Sequence, residues 1–224
     1  YYLLELMSTI ICGSKKYENL SFDRLVDSFD TIVRNNWLLP NNNYGKRNSN
    51  YQVLNCHMEN HRKSGASLSE WISTYAKTHN MPENQIGSFY EYLKLKTVRF
   101  VHFTGNNTEL MRSILRKHNI DHKVNKQLRC GFAYIAECID KEIKPSIVGF
   151  SLKEGDTINK QFSNKQYRLH NPCHDTHSEI RLLKKLHEAN LIDATFCTIE
   201  DSKKTSIDSS ILSPTTHSVN ILKE

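Results

Sequence analysis

The chain has 224 residues, a formal net charge of +6, 38% hydrophobic and 24% charged residues, and only 8 Gly and 5 Pro. This balance excludes a collagen-like or wholly disordered chain, and no apolar run approaches the roughly 20 residues that span a bilayer, so no membrane segment is expected. The mild basic excess favours an acidic partner, a nucleotide or nucleic acid foremost, and the six scattered cysteines contain no C-x-x-C pair.

Free thiols in that arrangement suit a reducing compartment, so the expected location is the cytoplasm, or a host or target cell into which the protein is delivered. Tyr1 to Ile11 is apolar but carries Glu5 and no basic leader, and reads as an amphipathic helix of a trimmed or processed chain. The spacing of Leu25, Val26, Phe29, Ile32 and Val33, and again of Leu68, Trp71, Ile72 and Tyr75, predicts helices, the second opened by a Ser67–Glu70 capping box. Residues 1–95 are therefore expected to form a helical region, interrupted by a polar loop from Pro40 to Asn50.

The pattern changes at Lys96, where Val98, Phe100 and Phe103 alternate with polar residues as in a strand. Thr108 to His118 predicts a helix with Leu110, Met111, Ile114 and Leu115 on one stripe; Gly131 to Ile139 fits a strand or a helix equally. Ser146 to Leu152 predicts a strand, His177 to Asn190 a helix, and Ala194 to Ile199 and Val219 to Leu222 two further strands. The fold class expected is α/β: the helical region packed on a second domain, 96–224, built as a sandwich of strands and helices.

His177 and Glu179 open the best helix of this half, two residues apart. Imidazole holds zinc, and a neighbouring carboxylate that is not a ligand can move a proton from metal-bound water to a base being deaminated. The run His177-Ser178-Glu179-Ile180-Arg181-Leu182-Leu183, the segment Thr195 to Glu200, and then Ser202-Lys203-Lys204, resemble the cytidine deaminase-like superfamily, in particular its divergent toxin and effector members. The resemblance implies a deaminase-like α/β/α sandwich over 96–224 and zinc-dependent deamination of a base in a nucleotide or nucleic acid. It also implies His177 as a metal ligand and Glu179 as the catalytic proton shuttle. Ser206 and Ser209 stand where the family carries its two zinc-binding cysteines, and hydroxyls are poor zinc ligands, so the chain as written is expected to hold zinc weakly and to be inactive.

Four other readings compete. Thr176 and Glu179 also make a capping box, and the loop bearing His170, Cys173, His174 and His177 has the residue types of a local metal site. His57 and His61 have ligand spacing beside a basic face; Cys130 with His170 or His174 has the makings of a nucleophile and its base. Val101-His102-Phe103-Thr104 resembles the NAD-holding segment of DarT-like ADP-ribosyltransferases, which implies His102 and Thr104 at the nicotinamide ribose and Glu179 or Glu200 as the catalytic carboxylate. A non-catalytic interaction module, binding a protein partner through residues 1–95, is the alternative without chemistry. Phe162 and Tyr167 are candidate stacking aromatics for a base.

Overall fold

Thr9, Ile10, Ile11 and Cys12 are all buried, and a strand with no solvent face belongs in the middle of a parallel sheet covered on both sides. In a computed structural model of the chain that run is β1 (Thr9–Cys12). The structure describes residues 8–13, 15, 17, 20–35, 38–54, 99–102, 107–152 and 175–197, with helical backbone also at 70, 73, 87–88 and 91–92. The other strands are β2 (Thr31–Asn35), β3 (Tyr51–Leu54), β4 (Arg99–His102) and β5 (Ser146–Val148). They form one sheet in the order β4-β3-β2-β1-β5, every pair parallel. Ile11 sits at the centre of the register, opposite Val33 on one side and Ile147 on the other.

The helices are α1 (Asp23–Asp27), α2 (Asn107–Lys117), α3 (Cys130–Asp140) and α4 (Thr176–Glu188), followed by a 3-10 turn at Thr195–Cys197. Side chains alternate between the sheet faces, so Ile11, Val33, Val53 and Ile147 pack with Met111, Ile114 and Leu115 of α2, Ile135 of α3 and Leu182, Leu183 and Leu186 of α4. Ile10, Cys12, Ile32 and Val148 point the other way, toward Phe22, Leu25, Val26 and Tyr44. On α2 the polar stripe holds itself together, Glu109 accepting from Arg112 at 3.2 Å and from Arg116 at 3.1 Å.

The α/β class, the strand around Phe100 and the helices expected at 108–118 and 177–190 all match the described elements. The helical reading of 1–95 is corrected, because that stretch contributes β1, β2 and β3. The apolar set Leu25, Val26, Phe29, Ile32 and Val33 spans two elements: α1 stops at Asp27, a turn follows, and the β-branched Thr31-Ile32-Val33 enters the sheet. Asp30 stabilises the turn by accepting from both the backbone N–H and the hydroxyl of Ser8, each at 2.8 Å. Helical spacing arose there only because both short elements bury their apolar residues. Cys130–Asp140 is a helix; most of its side chains are buried, so its apparent alternation was compositional. The strand expected at 194–199 is a 3-10 turn over 195–197, where Asp193 forms only an isolated bridge to Ser146. Tyr1 to Met7, Ser67, Leu68, Trp71, Ile72, Tyr75 and Val219 to Leu222 lie outside the described residues.

Arg34 on β2 has no exposed surface. Its Nη1 donates to the carbonyl of Arg47 at 3.0 Å and to Ser49 Oγ at 2.9 Å, and its Nη2 to the carbonyls of Tyr44 at 2.6 Å and Gly45 at 3.1 Å. One guanidinium thus clamps the 44–49 loop onto the sheet. A buried acceptor that loses its donor costs about 1–3 kcal/mol. Arg34→Met is expected to lower the unfolding free energy in urea by about 3 kcal/mol or more, whereas Arg24→Met on the exposed side of α1 changes it by under about 0.5 kcal/mol.

Candidate ligand site at the strand carboxyl ends

From β1 the strands proceed outward to β4, and the chain then returns to pair β5 with the opposite edge of β1. Connections leaving neighbouring strands in opposite directions open a crevice at their carboxyl ends, which is where open parallel sheets bind ligands. Here that switch point lies between β1 and β5.

A glycine follows each of the two strands. Gly13 donates its N–H to the carbonyl of Val148 at 2.7 Å, and Lys15 donates to the carbonyl of Gly149 at 2.7 Å. Gly149 has φ +73°, and a Cβ there would sit 2.7 Å from both the Gly13 carbonyl oxygen and the Tyr44 hydroxyl; a Cβ on Gly13 would strike the Gly149 carbonyl. The two loops therefore meet backbone to backbone, with the Tyr44 side chain against Gly149 and the Phe150 ring against Gly13.

Asn35 closes β2 beside them. Its Nδ2 donates to the Cys12 carbonyl at 3.0 Å, where the β1 ladder ends. Its Oδ1 is buried and has no hydrogen-bond partner among the described residues, although Asn35 is only 8% exposed. Against this amide lies the first turn of α3: a Cβ on Gly131 would approach Asn35 Nδ2 to 2.8 Å and the Phe150 ring to 3.0 Å. The N-cap Arg129 makes no side-chain cap, so the first N–H groups of α3 are not taken up that way.

A second helix start is tied to this one. The Arg129 backbone N–H donates to Glu179 Oε1 at 2.9 Å, its guanidinium donates to Glu179 Oε2, and its Nη2 donates to Thr176 Oγ1 at 2.8 Å. Asp175 caps α4, accepting from Ser178 N–H at 3.0 Å, while Ser178 Oγ meets His122 Nε2 at 3.0 Å. The first turns of α3 and α4 are thereby held side by side.

His177 and Glu179 share the first turn of α4, but His177 is exposed and Glu179 is 3% exposed with both carboxylate oxygens bonded to Arg129. The Thr176–Glu179 capping box is corrected: Asp175 is the cap, and Glu179 turns to α3 instead. Cys130 opens α3, half-buried. His102 lies on β4, its backbone in register with Leu54. Ser206, Ser209, His170, Cys173, His174, His57, His61, Thr104, Glu200, Phe162 and Tyr167 lie outside the described residues, among which no three His, Cys, Asp or Glu side chains gather as a metal site. Gly13, Asn35 and Gly149 escaped the sequence reading. Two of them carried a signal, a glycine directly after a short buried apolar run; Asn35 carried none.

The chain matches no protein-family model and no curated protein.

Two measurements test this pairing of helix starts. Truncating Arg129 leaves the buried Glu179 Oε2 without its guanidinium donor, so a double-mutant cycle with Arg129→Ala and Glu179→Gln is expected to give a coupling of about 1–3 kcal/mol in urea unfolding. His122 is held below its usual pKa of 6.5, first by burial and then by the charges of Lys185 and Arg181. A histidine with a depressed folded pKa binds fewer protons folded than unfolded, so its contribution is present above pH 6.5 and is lost as pH falls through the folded value. The thermal midpoint is expected to drop on acidification below pH 6.5, with a smaller drop in His122→Gln, measured by circular dichroism.

Proposed function

We propose that the chain binds a nucleotide in the crevice between β1 and β5 and transfers the group that nucleotide activates, with a nucleotide sugar as the donor class. The observation that carries this reading is Asn35 Oδ1, a buried acceptor without a partner among the described residues, on an amide that lies against the first turn of α3 at the switch point. A nucleotide supplies both complements: hydroxyl or amino donors for Asn35, and phosphate oxygens for the helix N-terminus.

Elimination narrows the chemistry. The loop after β1 reads Gly13-Ser14-Lys15-Lys16-Tyr17, neither G-x-G-x-x-G nor G-x-x-x-x-G-K-[ST], which weighs against dinucleotide hydride transfer and P-loop phosphoryl transfer. Dinucleotide enzymes of this strand order commonly place an acid on the ribose after the second strand; β2 ends in Asn35. Glycosyl transfer from a nucleotide is a transfer that needs none of these motifs. The bond from the anomeric carbon to the donor phosphate breaks with its electron pair leaving on the nucleotide. An acceptor oxygen forms the new bond, and a general base takes its proton.

A zinc-dependent base deaminase on a deaminase-like sandwich, with His177, Glu179, Ser206 and Ser209 around the metal, is the second reading. It is favoured by His177 and Glu179 sharing one helical turn and disfavoured by the engagement of both Glu179 oxygens with Arg129.

Thermal shift with a panel of nucleoside 5′-monophosphates tests the binding claim. A ligand at 100 times its dissociation constant stabilises by about 2.7 kcal/mol, or about 5–10 °C for a chain of this size. One member of the panel is expected to give such a shift, weakened about tenfold in affinity by Asn35→Ala. With nucleotide sugars the chain is expected to release free nucleotide, read by chromatography. Ammonia release from the panel with zinc present, and no stabilisation by any nucleotide without it, would favour the deaminase instead.

A further inference from the structure

Cations gather where α2 gives way to the loop that follows it. Arg112 and Arg116 stand one turn apart near the end of α2, and past Lys117 the backbone reverses through Asn119, whose φ is +53°. The Ile120 N–H donates back to the Leu115 carbonyl at 2.8 Å, and the chain then crosses to α4 as His122-Lys123-Val124. Both neighbours hold this loop. Arg112 Nε and Nη2 donate to the Val124 carbonyl at 3.0 and 2.7 Å. From α4, Ser178 Oγ donates to the Lys123 carbonyl at 3.3 Å, and Lys185 Nζ donates to the Asp121 carbonyl.

A cleft of about 600 Å³ opens between α2 and this loop, with Arg112, Arg116, Asn119, His122, Lys123 and Asn125 among its walls. Arg181 and Lys185 act on His122 from α4; after burial, their charges do most to hold it below its usual 6.5. Few carboxylates face these cations. Glu109 is taken by Arg112 and Arg116, while Asp121 and Asp175 act on His122 in the opposite sense. Among the described residues, Lys123 and Arg181 have no carboxylate within ion-pair distance. Like charges held together in this way repel one another, and an acidic partner relieves the repulsion.

What lies between the cations selects among acidic partners. Leu115 and Val124 are buried and Ile120 packs against the core, so the cleft lacks the exposed apolar residues that a basic membrane-binding helix inserts into lipid. The exposed Asn119 and Asn125 offer amides of the kind that contact sugar and phosphate. Arg181 and Lys185 are four residues apart, about 6 Å along the α4 axis, which is the order of the step between phosphates in an extended strand. No described aromatic ring lines the cleft, so base stacking plays no part there and binding is blind to sequence. We propose that the cleft holds the phosphate backbone of a single-stranded nucleic acid, with Arg116 and Lys123 on its walls and Arg181 and Lys185 along the adjoining turn of α4. None of Gly13, Asn35 and Gly149 lines it, so it is a second site beside the nucleotide crevice.

Fluorescence anisotropy of the full chain with labelled oligothymidylate and oligouridylate, each about 20 nucleotides long, tests the cleft. With Arg116, Lys123, Arg181 and Lys185 each neutralising one phosphate, log affinity falls against log salt with a slope of about −2.8, so affinity is expected to drop about fiftyfold from about 50 to about 200 mM NaCl. Lys123→Gln combined with Arg181→Gln is expected to reduce that drop to about sevenfold, with an unchanged circular dichroism spectrum. Arg24→Gln combined with Lys141→Gln removes the same charge elsewhere on the surface and is expected to keep the full drop. Asn35→Ala is expected to leave oligonucleotide affinity unchanged, whatever it does to mononucleotide binding. The cleft is overturned by no binding of either oligonucleotide at about 50 mM NaCl, or by binding only to vesicles of phosphatidylcholine carrying about a quarter phosphatidylserine. It is overturned equally by an unchanged slope in the Lys123 and Arg181 variant, or by the same loss of slope in the Arg24 and Lys141 variant. A loss of affinity in Asn35→Ala puts the strand in the crevice and overturns it too.

Discussion

The pairing of β5 with β1 is the constraint on which the remaining architecture depends. Ile10, Ile11 and Cys12 align with Ser146, Ile147 and Val148, joining segments about 135 residues apart in the chain. Without that ladder β1 would be an edge strand, yet its four side chains are all buried and need cover on both faces and both sides. The ladder makes β1 central, brings Gly13 and Gly149 into backbone contact, and creates a switch point where otherwise there would be only a sheet edge.

Around this ladder most buried polar groups are bonded, while Arg34 Nε and Asn35 Oδ1 are among the buried atoms with no hydrogen-bond partner among the described residues. Arg34 spreads four hydrogen bonds over the 44–49 loop, and Glu179 uses both oxygens to draw α4 against α3. These contacts fix elements whose own propensities are weak, α1 being only five residues long. Asn35 does half of the same work, holding Cys12 with Nδ2, while its Oδ1 stays without a partner among the described residues. An open acceptor at the strand carboxyl ends, where parallel sheets bind ligands, is the observation on which the nucleotide proposal rests. Glu179 shows the converse: a carboxylate in a sequence context suited to catalysis is committed to a structural ion pair.

Much of the second half was legible because its helices are long and one-sided. On α2 the residues Met111, Ile114 and Leu115 bury one stripe and leave Glu109, Arg112 and Arg116 on the other, and α4 repeats the pattern with Leu182, Leu183 and Leu186. The first half resisted for a physical reason. Strands of three to five residues buried on both faces have no alternation to display, and next to the short helix α1 their apolar residues mimic a helical repeat. The site was harder still, since Gly13, Asn35, Gly131 and Gly149 come from four separate places in the chain and no local motif joins them.

By itself the sequence determined the α/β class, the positions of α2 and α4, the strand at 99–102 and the scarcity of apolar runs long enough to cross a bilayer, because each follows from composition or from periodicity within a dozen residues. Only the tertiary structure decided that residues 9–12, 31–35 and 51–54 are strands of the same sheet as 146–148. It alone decided that Asp175 rather than Thr176 caps α4, that Glu179 belongs to Arg129, and that Asn35 faces the start of α3. Parallel pairing and buried ion pairs join residues far apart in the chain, and no local pattern carries the register that brings them together.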